Sequence, residues 1–94
     1  MLDRRAFFID GSWVSPTDGQ DFEVVNPATE EAVAVISLGG PEDVDYAVRA
    51  ARDAFEMWSE SAVSERAGLL RRAREIYLRR RDEFAEAMTM EMGA

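Results

Sequence analysis

Gly39-Gly40-Pro41 divides this chain into two halves that follow different rules. Before the break, short β-branched and aromatic runs alternate with turn residues, the pattern of strands. After it, apolar residues recur with a helical period to the end of the chain. Pro41 suits a first helical position, and Glu42 and Asp43 complement the helix dipole, so a helix begins there. Val44, Ala47, Val48, Ala51, Phe55 and Trp58 fall on one face of it, giving an amphipathic helix from Pro41 to about Trp58.

The same logic orders the first half. Asp10-Gly11 between Phe7-Phe8-Ile9 and Ser12-Trp13-Val14 predicts a hairpin over residues 7–14 with a two-residue type I′ turn. An isolated hairpin is marginal in water, so Phe7, Phe8, Ile9 and Trp13 are expected to pack on something larger rather than form a ligand platform. Residues 15–21, SPTDGQD, read as a polar loop. Phe22–Val25 and Ala32–Ser37 read as an antiparallel strand pair. Pro27 drives Asn26 out of the helical region, so the first of these strands ends at Asn26-Pro27. Glu30 and Glu31 in the connection point apart and are solvated charges, not a catalytic pair.

Beyond the first helix, Ser59–Ser64 form a polar link, with Ser61 or Ser64 as the N-cap of a second helix running from Ser64 to about Arg80. Leu69, Leu70, Ala73, Ile76 and Tyr77 are its expected buried stripe. Asp82 is the expected cap of a third helix through Met92, which Gly93 stops. Asp45–Arg49 and Arg49–Asp53 stand at i, i+4 spacing on the first helix. Met88, Met90 and Met92 step round the third helix instead of lining one groove; they suit an adaptable protein contact, and surface left bare by a missing remainder of the protein explains them equally well.

The chemistry this chain can perform is narrow. It has no cysteine and no histidine, so it lacks a thiol nucleophile, a thiolate metal site and an imidazole base. A net charge of −8 argues against nucleic acid and anionic membrane as partners. All 11 basic residues are arginine, which genomic composition explains more simply than phosphate recognition. Acidic residues are interleaved with the arginines of the second helix and cancel much of their field. No run approaches the roughly 18 apolar residues of a membrane span, and MLDRRAFF lacks the core of a signal peptide, so the cytosol is the expected compartment. With 94 residues the chain is one small domain or a piece of a larger one.

Three segments carry a resemblance. VVNPATEE, the GGPEDVDYAVRAARDAFEMW helix and the closing EMGA are similar in order and spacing to the N-terminal region of the aldehyde dehydrogenase superfamily, from FFIDGSWV to Ala94. The resemblance implies an α/β fold, α+β as an isolated piece: a β-hairpin, an antiparallel strand pair and three amphipathic helices. Residues 1–94 would be the N-terminal part of the cofactor-binding domain, with strands in 7–37 and helices in 41–92 and no second domain. Members oxidise aldehydes to carboxylic acids with NAD or NADP through a cysteine, a glutamate and an asparagine that all lie downstream of this region. The lysine and glutamate that grip the adenosine ribose also lie downstream, and Gly39-Gly40 lacks the spacing of a dinucleotide fingerprint.

The resemblance therefore implies a truncated, structural region of an oxidoreductase. Alone it should be inactive and bind no cofactor. Its partner is the remainder of the subunit, and a full-length protein would form a homo-oligomer. Some members hold a structural monovalent cation with two backbone carbonyls and an acidic side chain, which would match Val24, Val25 and Glu91, with further ligands outside the chain. The alternative reading is a small stand-alone interaction module that uses its methionine and aromatic helix surface.

Overall fold

The computed structural model describes all 94 residues. Five strands, β1 (Leu2–Arg4), β2 (Phe7–Ile9), β3 (Ser12–Val14), β4 (Gln20–Asn26) and β5 (Glu31–Leu38), precede three helices, α1 (Pro41–Trp58), α2 (Val63–Arg79) and α3 (Arg81–Met92). The mixed α/β architecture is as expected, with strands first and helices second.

β5 is the strand around which the first half assembles. It pairs antiparallel with β4 and parallel with β1, in the order β1-β5-β4. Its Ala-Val-Ala-Val-Ile run is β-branched and apolar, as a central strand requires. β1 has no counterpart in the sequence reading. Its three residues include two charges, and what makes them a strand is pairing with Ala34–Ile36, some 30 positions away. A two-residue slip of register between Val24 (opposite Ala34) and Val25 (opposite Ala32) leaves Val33 as the extra residue of a β-bulge.

Both turns form where local chemistry placed them. Asp10 and Gly11 have φ of 54° and 78°, the two positive values a type I′ turn needs, and Phe7–Ile9 pairs with Ser12–Val14 across it. β4 ends at Asn26, whose side-chain Oδ1 accepts from the Ala28 N–H at 2.9 Å while its carbonyl accepts from the Glu30 N–H at 2.7 Å. Both strands of this pair run further than expected, so Asn26 faces Glu31 and only residues 27–30 form the connection. Glu30 takes a left-handed φ of 60° to close it.

α1 begins at Pro41 as expected, and Gly93 stops α3 with a φ of 73°. Gly93 is needed twice over, because a Cβ there would also stand 3.0 Å from Pro27 Cγ. The expected caps are corrected. Ala62 occupies the N-cap of α2, with Ser64 already inside the helix and Ser61 donating instead to the Trp58 carbonyl at 2.6 Å. Arg80 occupies the N-cap of α3, and Asp82 falls within the first turn. α2 and α3 abut with almost no link, so no residue between them is free to take the extended cap conformation.

The largest departure concerns burial. The stripe expected to be buried on α2 is exposed, with Leu70 at 70%. Ala34, 7% exposed, is the one buried apolar residue. The radius of gyration is 16.8 Å, against about 12 Å for a compact domain of this length, and the shortest dimension is 16 Å. A helix alone is about 10–12 Å across, so much of the molecule is a single layer. Apolar stripes are present; the layer that would cover them is not.

Candidate functional site

Three constellations bring side chains together from separate parts of the chain. The first centres on Asp43, the only buried charged residue. Its Oδ1 accepts from the Thr17 N–H at 2.8 Å and its Oδ2 from the Gly40 N–H at 3.0 Å. Asp43 is the third residue of α1, so the second bond is the returning half of a capping box and the first ties the 15–19 loop to the helix start. These donors, Thr17 foremost, hold the carboxyl below its ordinary value, while desolvation opposes them. An ionised carboxylate whose oxygens are already engaged is a bracket and not an acid or base.

Glycines permit this close approach. A Cβ on Gly40 would lie 2.7 Å from the Asp18 carbonyl, and one on Gly39 would lie 3.3 Å from the Phe7 ring. In the sequence, Glu42 and Asp43 stand only as helix-start charges and residues 15–21 only as a polar loop. Gly-Pro-Glu-Asp lacks the Ser or Thr and the Glu or Gln of a capping-box sequence, so neither bond of Asp43 has a sequence signal of its own.

The second constellation gathers charge at the start of the sheet. Arg5 pairs with Asp3 at 2.9 Å and with Asp21 at 3.3 Å, and its carbonyl accepts from Ser37 Oγ at 2.8 Å. The three charged side chains are exposed and Ser37 is half-buried, and together they fasten β1 and β4 across β5. On α1, by contrast, the expected pairs do not form: Arg49 Nε turns to the Asp45 carbonyl at 3.4 Å. An exposed i, i+4 pair gains too little to hold two mobile side chains in place.

The third is a groove between the sheet and α3. Val24 and Glu91 both line it, together with Leu2, Ala34, Phe84 and Met90, while Val25 does not. The Phe84 ring meets that of Tyr77 on α2 at a tilt of 51°, with centroids 5.1 Å apart. The β-bulge falls between Val24 and Val25, where the regular ladder is interrupted and carbonyls are less committed to it. Against that, Arg4 and Arg80 line the same groove and oppose a cation. No three acidic side chains cluster anywhere. A hard cation needs several oxygens, so the donors present fit one only in part.

At the hairpin, the Phe8 and Trp13 rings meet at a tilt of 60° with centroids 5.2 Å apart, and both remain exposed. They cover nothing else.

None of these places holds a cysteine or a histidine, because the chain has neither. Residues 13–94 match the aldehyde dehydrogenase family. The chain belongs to that family. It is 50% identical over its whole length to a 3-succinoylsemialdehyde-pyridine dehydrogenase from Pseudomonas sp., of which it covers 20%. It is 38% identical, again over its whole length, to a putative aldehyde dehydrogenase of Staphylococcus aureus, of which it also covers 20%. Among solved structures, an aldehyde dehydrogenase from Bartonella henselae superposes on all of this chain with a TM-score of 0.98 at 45% identity, 20% of that chain being covered. A Pseudomonas syringae aldehyde dehydrogenase complexed with NAD+ and octanal matches 97% of the chain and 19% of its own, with a TM-score of 0.91 at 44% identity.

The chain thus spans about a fifth of the length of the aldehyde dehydrogenases it matches. Its bare helices are explained by that proportion. A TM-score of 0.98 means that the chain holds the shape that the matching fifth has within a far larger subunit. No helix is long and apolar enough to cross a membrane.

Proposed function

We propose that this chain is the N-terminal structural region of an NAD(P)-dependent aldehyde dehydrogenase, forming part of its cofactor-binding domain. The observation that carries the reading is the family match over residues 13–94 in a chain without cysteine or histidine. Within the whole subunit, NAD or NADP accepts hydride as an aldehyde is oxidised to a carboxylic acid, and the groups that perform this lie outside these residues. The relatives' names range from a pyridine-bearing semialdehyde to a complex with octanal, so the substrate is drawn no more finely than an aldehyde.

The part these residues play is mechanical. The Asp43 bracket and the Arg5 cluster fix the sheet and the start of α1 as one piece on which the rest is built. A monovalent cation near the Val24 and Val25 carbonyls and the Glu91 carboxylate would complete its shell with oxygens from the remainder of the subunit. The whole protein is a cytosolic homo-oligomer in this reading.

The test is the intact mass of the gene product from its own cells, followed by an aldehyde-dependent reduction assay with NAD+ and NADP+. A product several times heavier than 10.6 kDa that reduces either cofactor supports the reading. A native product of 10.6 kDa with no larger partner sinks it, as does aldehyde oxidation by the 94-residue chain alone.

A further inference from the structure

The chain contains two Asp-Gly pairs, Asp10-Gly11 and Asp18-Gly19, and the structure holds them in opposite ways. In such a pair the aspartate carboxyl can react with the next backbone nitrogen, because glycine places no side chain in the way. The nitrogen must first swing into line with the aspartate Cα–Cβ bond. For an L residue that alignment comes at a ψ of about −120°, the value of the first central residue in a type II′ turn.

Asp10 and Gly11 are the central residues of the type I′ turn, with φ of 54° and 78°. A type I′ turn becomes type II′ by rotation of the single peptide unit between these residues. The ψ of the first passes from about +30° to about −120° while its φ stays positive. Both turns close a two-residue hairpin, so the rotation leaves Ile9 opposite Ser12. Nothing restrains this peptide unit. Neither the Asp10 carbonyl nor the Gly11 N–H is hydrogen-bonded, and the Asp10 carboxylate has no partner. A Cβ on Gly11 would meet nothing within 4 Å.

The Asp18-Gly19 unit is wedged instead. The Asp18 carbonyl lies 2.7 Å from where a Cβ on Gly40 would stand, and a Cβ on Gly19 would lie 2.6 Å from Pro16 Cβ. The adjoining Thr17 N–H is bound to Asp43 Oδ1 at 2.8 Å. A planar peptide carries its oxygen and nitrogen together, so the Gly19 nitrogen cannot turn without driving the Asp18 carbonyl through this junction.

We infer that Asp10 is a site of spontaneous isoaspartate formation, reached by a flip of the central peptide of the hairpin turn, and that the folded chain protects Asp18. The Gly11 nitrogen bonds to Asp10 Cγ, and the carboxyl OH and the N–H proton leave as water, closing a succinimide ring. Water then opens the ring. Breaking the new Cγ–N bond restores Asp10. Breaking the original peptide bond leaves the main chain running through Cβ and Cγ, with the α-carboxylate free. The water lost is regained, so the mass is unchanged and nothing is oxidised. The added main-chain carbon lengthens the turn, so Ile9 and Ser12 lose their register and the Phe8 and Trp13 rings part.

The test ages the 94-residue chain at neutral pH and physiological temperature, in buffer and in urea. Isoaspartate is counted by carboxyl methylation with an isoaspartyl methyltransferase and assigned to a position by peptide mapping. In urea the two sites should react alike. In buffer Asp10 should exceed Asp18 about tenfold or more, the factor that one hydrogen bond or packed contact to be broken makes in a rate. Asp10→Asn should convert faster than the parent, with the mass gain of deamidation, because ammonia leaves more readily than water. Asp10→Ser should remove the methylated product at this position. Equal accumulation at both sites in buffer overturns the inference, as does none at Asp10. An Asp10 rate that rises as steeply in urea as that of Asp18 overturns it too, by showing that the turn shields the bond.

Discussion

The sheet half and the helical half of this molecule are stabilised in opposite ways. Around β5, contacts run between residues distant in sequence: β1 pairs with Ala34–Ile36, Arg5 reaches Asp21, Ser37 reaches the Arg5 carbonyl, and Asp43 holds the Thr17 amide. On α1 and α2, most hydrogen bonds are local, and Val44, Phe55, Val63 and Leu70 face solvent. Isolated helices are marginal in water and owe most of their stability to a packed face. The sheet half is thus tied together within these residues, although Phe8, Trp13 and Phe22 stay exposed there too, and the helical half awaits a surface. Amphipathicity records the contacts a helix will make, even when the partner lies in another part of the subunit.

Paired substitutions test that contrast most sharply. Ala34→Asp places a charge at the one buried apolar position and should abolish cooperative unfolding, a loss of about 3 kcal/mol or more. Val48→Asp, the same class of change on α1, should shift the stability of the isolated chain by no more than about 0.5 kcal/mol. Thermal melts followed by circular dichroism compare the two. Similar losses at both sites would mean that α1 is packed in solution and that the division is wrong. An intermediate effect belongs to the junction of the halves: Gly40→Ala drives a Cβ to 2.7 Å from the Asp18 carbonyl and should cost about 1–3 kcal/mol in the same melts.

The division also explains what the sequence disclosed. Features governed by neighbouring residues were legible: the Asp10-Gly11 turn, the strand end at Asn26-Pro27, the start of α1 at Pro41 and the stop at Gly93. Features set by distant partners were not. β1 has no periodicity of its own, and the Thr17 bond to Asp43 spans 26 positions. The stripe of Leu69, Leu70, Ala73, Ile76 and Tyr77 on α2 was legible as a face, yet periodicity cannot say whether its cover belongs to the same 94 residues. Of the candidate cation donors, Val24 and Glu91 line one groove, and Val25 stands just outside it.

Asp43 permits a test by pH. Its folded-state carboxyl is held below the ordinary value of 3.8, so its contribution is complete above that value and fades as pH falls through the lower, folded one. Asp3 and Glu83 are depressed too, by Arg5 and Arg80, and add to the same acid limb. The difference between the parent and Asp43→Asn should therefore be constant from neutral pH to about pH 5 and shrink below the ordinary carboxylate range. The Thr17 amide resonance should move over the same interval in the parent and stay fixed in the variant. A difference that persists undiminished at the acid end would mean that the bracket depends on shape and not on charge.

The smallest effect is expected at the α2–α3 junction, where Arg80 meets Glu83 at 2.9 Å with both side chains more than half exposed. Two hydrogen bonds join the pair, yet water and salt compete for each of them. Glu83→Gln should leave the midpoint of the thermal melt unchanged within error at physiological ionic strength, with any loss confined to low salt. A clear, salt-independent loss would show that the pair holds α3 against β4, since α3 is the helix that packs on the sheet. The boundary between the two halves would then run along the outer side of α3, and Arg80, which lines the groove beside Val24 and Glu91, would be one of its fixed points.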